Sequence, residues 1–168
     1  MPHPEITAEL TLFEQRVTEV FVRIADIMGI PKSVGEIYGL LFASAKPLSF
    51  QDIIDRLRIS KGSASQGLRL LRANGAIKLV YIPGDRRDYF VPETELRALV
   101  SGFLREKVQP HLESGSARIE MLEELVRSVE RDAGETEDTA AIRSRVEKLK
   151  SWQKKAKALV PIITKLFG

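Results

Sequence analysis

Two serines constrain this chain most. Ser49 can cap a helix, with Asp52 at the third position as a weak capping box, and Ile53, Ile54 and Leu57 give that segment its apolar face. A few residues on, Ser60 is a second N-cap, and the segment it opens ends at Asn74-Gly75, a C-cap pair. Two short helices joined by so short a turn predict a helix-turn-helix.

Periodicity places the elements around this motif. Leu10, Phe13, Val17, Val20, Ile24 and Ile27 recur every three or four residues, which predicts a first helix over 6–28, stopped by Gly29 and Pro31. Ser33-Val-Gly-Glu36 reads as a capping box for a second helix over 34–44. That helix is apolar on several sides (Ile37, Tyr38, Leu40, Leu41) and is predicted to be buried. After Asn74-Gly75, Ile77, Leu79 and Tyr81 alternate with Lys78, Val80 and Ile82, a strand pattern. Pro83-Gly-Asp85 turns the chain, and Arg87 to Val91 returns as the second strand of a hairpin. Beyond Pro92 the chain is helical, with a break or kink expected at Pro110 and at Ser114-Gly-Ser116. A further helix ends near Gly134, and the acidic stretch 134–138 is expected to be a mobile loop. A last helix follows, with Ile142, Val146, Leu149, Trp152, Ala156, Leu159 and Ile163 as its stripe. The fold class is therefore mainly α with a small two-stranded β wing. A winged helix-turn-helix over 30–92 is flanked by helical regions over 1–29 and 93–168.

Rotating the segment after Ser60 by about 100° per residue sorts its faces. Ala64, Leu68 and Leu71 form the core side. Gly62, Gln66, Arg69 and Ala73 fall opposite, with Ser65 and Arg72 on one flank and Ser63 and Leu70 on the other. A helix entering a DNA major groove presents such a small, polar surface near its N-terminus. Gln bonds adenine, and Arg bonds guanine, through paired hydrogen bonds. Ser60, Lys61 and the free N–H groups of a helix start suit phosphate. A solvent-exposed helix with a polar face is the alternative, since Ser and Gly also favour helix starts for capping.

The hairpin tip carries Arg86 and Arg87. A basic wing after a recognition helix can reach a narrow minor groove, whose negative potential attracts Arg. Against this, Asp85 and Asp88 can pair with the arginines and neutralise the tip.

The order of helix, helix-turn-helix and Arg-tipped wing, with helices on both sides, resembles the MarR-type winged-helix transcription regulators. ISKGSASQGLRLLRANGAIK followed by YIPGDRRDYFVPETEL is similar to their GbsR branch, in the Ser-Lys-Gly helix start and the Gly-acid-Arg-basic-Asp-Tyr wing. The match covers Pro31 to Leu96; Ala73-Asn74-Gly75 departs from the branch's more aromatic or acidic helix end. The resemblance implies double-stranded DNA as partner and a homodimer built by the first and last helices. It also implies control of transcription, most often repression, and a small-molecule effector, which in some members is choline or a related cation. Carried over by position, DNA contact falls on Ser60, Lys61, Ser63, Ser65, Gln66, Arg69 and Arg87, and the tip adds Arg86. A cation cage needs ring faces; the candidates are Phe13, Phe21, Tyr38, Phe42, Phe103 and Trp152, of which Tyr38, Phe103 and Trp152 are put forward. Core packing accounts for most aromatic residues on apolar stripes, and Trp152 sits among Lys150, Lys154 and Lys155.

Composition narrows the other classes. The chain has no cysteine, so disulfides and thiolate metal sites are excluded. Its only histidines, His3 and His111, are too few for a histidine metal site, and no metal or cofactor is expected. No phosphate-binding Gly-rich loop, dinucleotide fingerprint or Gly-x-Ser-x-Gly elbow is present, and no nucleophile–base arrangement points to an enzyme. The N-terminus lacks the pattern of a signal peptide and no run is long enough for a membrane span, which predicts a cytoplasmic chain. Net charge is only +3, but it is uneven. Residues 46–90 hold nine Lys/Arg against four Asp/Glu, 113–138 hold three against nine, and 142–167 hold eight against one. The basic last helix can be the solvent face of a dimerisation helix, an operator flank or an anion site. The rival function is a winged-helix protein-interaction module that does not touch DNA. The polar, basic outward face of the helix after Ser60 favours DNA.

Overall fold

The computed structural model describes residues 10–167, so the expected helix start at Ile6, and His3, lie outside the described residues. The chain divides into two compact units, the first running to Gly102 and the second starting at Phe103.

In the first unit α1 spans Leu12–Ile27. Thr11, not a residue near Ile6, is its N-cap, because Thr11 and Glu14 close a reciprocal capping box. α2 spans Lys32–Ala43 and begins at Pro31 rather than at a Ser33 cap. Pro31 is the N-cap and offers no side-chain cap bond, and Glu36 pairs with Lys32 at 3.0 Å instead of reaching back. α1 and α2 cross at close range. A Cβ on Gly35 would stand 2.7 Å from the Phe21 carbonyl oxygen, and one on Gly39 would stand 2.7 Å from the Thr18 Cα. α2 is the centre of the core, with Ile37 and Leu40 fully buried.

α3 (Phe50–Leu57) starts at the predicted Ser49–Asp52 capping box, and α4 (Lys61–Ala73) at the predicted Ser60 cap. The turn between them passes through Arg58 in the left-handed region, at φ 54°. The expected two-stranded wing is a three-stranded antiparallel sheet in the order β1 (Leu48–Ser49), β3 (Tyr89–Pro92), β2 (Ile77–Val80). The chain entering α3 adds a third strand by pairing Leu48 with Phe90 and Ser49 with Tyr89. β2 ends at Val80, opposite Tyr89, so Tyr81 and Ile82 belong to the wing loop rather than to the strand. α5 spans Leu96–Phe103, and its Gly102 lies against the Asn74 carbonyl with no room for a Cβ.

The second unit is a helical hairpin. A π-helical turn over Leu104–Val108 leads into α6 (Gln109–Ala133), and α7 spans Glu137–Leu166. Pro110 does not end the helix: it lies in the first turn of α6, directly after the π-helical turn over Leu104–Val108, and that turn is the irregularity the helix shows beside the proline. The Ser114-Gly-Ser116 patch does not break α6 either. Its small residues admit Gln153 of α7, whose side-chain amide donates to the Leu112 carbonyl at 2.8 Å and the Ser116 Oγ at 3.0 Å. Glu137 and Asp138, expected in a loop, form the first turn of α7, where acidic side chains suit the helix dipole. Arg143–Glu130 and Lys150–Glu123 ion pairs tie the two helices along their length.

Candidate nucleic-acid interface

α4 is held by one face and open on the other. Ala64, Gly67, Leu68 and Leu71 are buried, and Lys61, Gly62, Ser65, Gln66, Arg69, Arg72 and Ala73 are exposed. A Cβ on Gly67 would stand 2.6 Å from Ile37 Cδ1, so glycine lets α4 lie directly on α2. The Ser60 Oγ accepts the Ser63 N–H at 3.1 Å and donates to the Ser63 Oγ at 3.0 Å. Ser63 is thereby half-buried and engaged in the cap. Lys61, Ser65, Gln66 and Arg69 make no side-chain hydrogen bond or ion pair within the described residues, so their donors and acceptors are free for an external partner. Arg69 and Arg72 open onto a cleft of about 500 Å³ between α4, Phe50 and Phe90 of the sheet.

The wing extends beyond the sheet through residues 81–88. Its turn is closed by the Asp85 N–H donating to the Ile82 carbonyl at 3.0 Å, with Gly84 at φ 86°. Arg87 donates to Asp85 through its backbone N–H, Nε and Nη2, the last at 2.6 Å. Tyr89 donates its hydroxyl to the same carboxylate at 2.6 Å, and the Arg87 guanidinium lies 5.3 Å from the Tyr89 ring centre. Bonds from Arg87 and then from Tyr89 hold the Asp85 carboxyl far below the usual carboxylate range. The same bonding from Asp85 raises the Arg87 and Tyr89 values. Arg86 and Asp88 are exposed and unpaired within the described residues.

One buried ion pair joins α1 to α3. Arg56 of α3 donates through Nη2 to Glu14 of α1, and the two side chains are only 7% and 10% exposed. Burial alone would raise the Glu14 carboxyl. The Thr11 N–H and the Arg56 guanidinium outweigh it, leaving Glu14 below its ordinary value. The sequence hides this pair, because the apolar stripe of α1 lies on another face: Phe13, Val20, Ile24 and Ile27 are exposed, while Glu14, Thr18 and Ala25 are buried.

The three aromatic residues put forward for a cation cage have separate settings. Tyr38 is buried in the first unit, packed edge-on to Phe21, and its hydroxyl donates to the Glu93 carbonyl at 2.5 Å. Burial and the nearby Glu93 charge push its hydroxyl up to about 12. Phe103 is half-buried at the start of the second unit, and Trp152 is 63% exposed on α7. His111 is exposed in the first turn of α6.

No protein-family profile matches the chain. Over 90 residues it is 33% identical to YvaV of Bacillus subtilis (strain 168), a protein named as an HTH-type transcriptional regulator. That match takes in 51% of this chain and 50% of the relative, so the chain spans about half the length of the relative it matches. The fold is similar to that of a crystal structure of a transcriptional regulator, with a TM-score of 0.54 and 17% identity, covering 90% of this chain and 98% of that one. At that identity the likeness shows the fold alone, a mostly helical chain with a small antiparallel sheet consistent with a winged helix.

Proposed function

We propose that this chain is a DNA-binding transcription regulator of the MarR-like, GbsR-like kind, acting as a homodimer and repressing by occupying a pseudo-palindromic operator. The observation that carries the reading is the exposed face of α4, where Lys61, Ser65, Gln66 and Arg69 stand clear of any intramolecular partner. In this reading Ser60, Ser63 and Lys61 approach phosphates at the helix start, and Ser65, Gln66 and Arg69 read base edges. The wing tip with Arg86 and Arg87 reaches the adjoining minor groove. The similarity to a protein named as an HTH-type regulator supports it. Among the described residues no helix is long and apolar enough to cross a membrane; a regulator of this kind works in the cytoplasm, where its DNA lies.

The hairpin of the second unit supports the dimer. The ion pairs and the Gln153 bonds define which sides of α6 and α7 face each other. At about 100° per residue, exposed Leu122, Leu125 and Val129 of α6 lie to the same side of the hairpin as Ile142, Leu149 and Trp152 of α7. The hairpin also joins an acidic helix to a basic one, so a second copy laid antiparallel matches charge as well as apolar surface. The two recognition helices then meet half-sites about 34 Å apart.

The test is fluorescence anisotropy of a duplex from upstream of the chain's own gene, against a scrambled duplex, across a salt series. Tighter binding to the native duplex at every salt, at two chains per site, is expected. Equal binding that vanishes by moderate salt reduces the basic face to nonspecific phosphate attraction. Absence of binding to either duplex at low salt favours the protein-interaction module.

A further inference from the structure

We infer that the two wing-tip arginines do different work: Arg86 is the side chain that enters the DNA groove, and Arg87 is a positioning residue that holds the tip for it. This rests on the DNA-reading function proposed above and divides its wing contact between two residues.

Arg87 is exposed but bound to its own loop. Its Nε and Nη2 both point at Asp85, its backbone N–H donates to the same carboxylate at 3.0 Å, and its guanidinium covers the Tyr89 ring. Tyr89 is buried and paired with Val80 on one side and Ser49 on the other, so this cluster fastens the loop to all three strands. The pair is also close to neutral as a unit. A guanidinium is drawn into a narrow minor groove by the groove's negative potential. Arg87 brings the Asp85 carboxylate with it, and that carboxylate is repelled by the same potential. Asp85 cannot shed its charge by taking up a proton at ordinary pH, because its bonds to Arg87 and Tyr89 favour the ionised form.

Arg86, its neighbour in sequence, is exposed as Arg87 is but differs in having no partner among the described residues. It makes no hydrogen bond, ion pair or ring contact there, not even with exposed Asp88. All five guanidinium donors and the full charge are available. The turn at Gly84 and the Asp85 cluster fix the backbone on either side of it, so little backbone freedom remains to be lost on binding.

The experiment is selection of duplexes from a randomised pool by the full chain and three variants, followed by anisotropy titration on the wild-type sequence. The wild type is expected to enrich a core read by α4 and A·T-rich flanks where the wings lie. Arg86→Gln should keep the core, lose the flank bias and bind roughly tenfold or more weakly, with the salt slope reduced by about 1. Arg87→Ala leaves Asp85 unpaired and should weaken binding with partial loss of flank bias. Replacing the pair together, Asp85→Asn with Arg87→Gln, restores neutral hydrogen-bonding partners and should return affinity to within about fivefold of wild type, flank bias included. Retention of the core by every variant reports that each is folded. The division is overturned if Arg86→Gln keeps the flank bias, if the paired replacement loses it, or if the wild type enriches a core without any flank bias. Enrichment of no sequence by the wild type sinks the DNA-reading function itself, and the division with it.

Discussion

Replacing Arg56 with Met tests how α1 and α3 are held together. The Arg56 and Glu14 side chains are each about nine-tenths buried, and the pair joins α1 to α3. Removing one partner of such a pair leaves a charge in the protein interior, a loss of about 3–5 kcal/mol. The lower end applies here, since Glu14 keeps its bonds from the Thr11 N–H and hydroxyl. A loss of about 3 kcal/mol shifts a urea midpoint by roughly 1–3 M at ordinary m-values. The pH dependence has a definite sign. In the wild type the Glu14 carboxyl lies below its ordinary value, so its contribution is complete above the unfolded pKa of about 4.3 and is lost as pH falls through the lowered folded value. In Arg56→Met, burial acts with less opposition and the carboxyl rises, so acid relieves the variant by protonating Glu14. The stability gap between wild type and variant should therefore be widest near pH 7 and narrow toward pH 4. Urea unfolding followed by circular dichroism at both pH values measures it, and Glu14→Gln on the variant background should recover part of the loss at pH 7. A gap below about 1 kcal/mol, or one independent of pH, would refute the reasoning that this pair is buried and mutually required.

Arg69→Ala should cost roughly 1–3 kcal/mol in operator binding and relax base preference, with the thermal melt unchanged, because Arg69 has no intramolecular partner; unchanged operator affinity in the folded variant removes it from the reading face. Gly39→Ala should destabilise the first unit by about 1–3 kcal/mol, despite up to about 1 kcal/mol gained in helix propensity. The added Cβ meets the Thr18 backbone at 2.7 Å and α1 must move away; a higher urea midpoint would show that α1 and α2 do not cross so closely. Trp152→Glu places a charge in the exposed apolar side of the hairpin and should convert dimer to monomer in sedimentation velocity with helix content retained. An unchanged dimer takes that side out of the interface.

What was legible in the sequence was what local chemistry decides. The caps at Ser49 and Ser60 each need only a side chain and an N–H three residues away, and both form as read. The inward and outward sides of α4 follow from helical period alone, and burial of Ala64, Leu68 and Leu71 matches it. The failures involve either a partner distant in the chain or a competing partner close by. β1 is two residues long, too short for any alternation, and exists because β3 offers it an edge. Ser114-Gly-Ser116 has the composition of a break, but Gln153 uses its small side chains as a landing site. The Ser33 box has the right letters, yet Pro31 starts the helix earlier and Lys32 takes the Glu36 side chain. At the wing tip, sequence names two adjacent arginines and an acid; only geometry shows that Asp85 holds Arg87 and leaves Arg86 unpaired among the described residues.

The arrangement separates holding from reading. Everything that fixes α4 lies on its inner side or at its ends: the Ser60 cap, Gly67 against Ile37, buried Leu68 and Leu71, and Asn74 closing back on the Leu70 carbonyl. The outer side contributes almost nothing to that hold, because its long polar side chains have no partners to lose. On the proposed function, substitutions at Gln66 or Arg69 therefore change which bases are read without unfolding the helix, whereas Leu68→Asp would put a charge where the side chain is 4% exposed and unfold the motif. A loss of DNA binding at position 68 is thus a folding effect, and one at position 69 is a contact effect. The two are told apart by whether the melting curve moves with the binding curve.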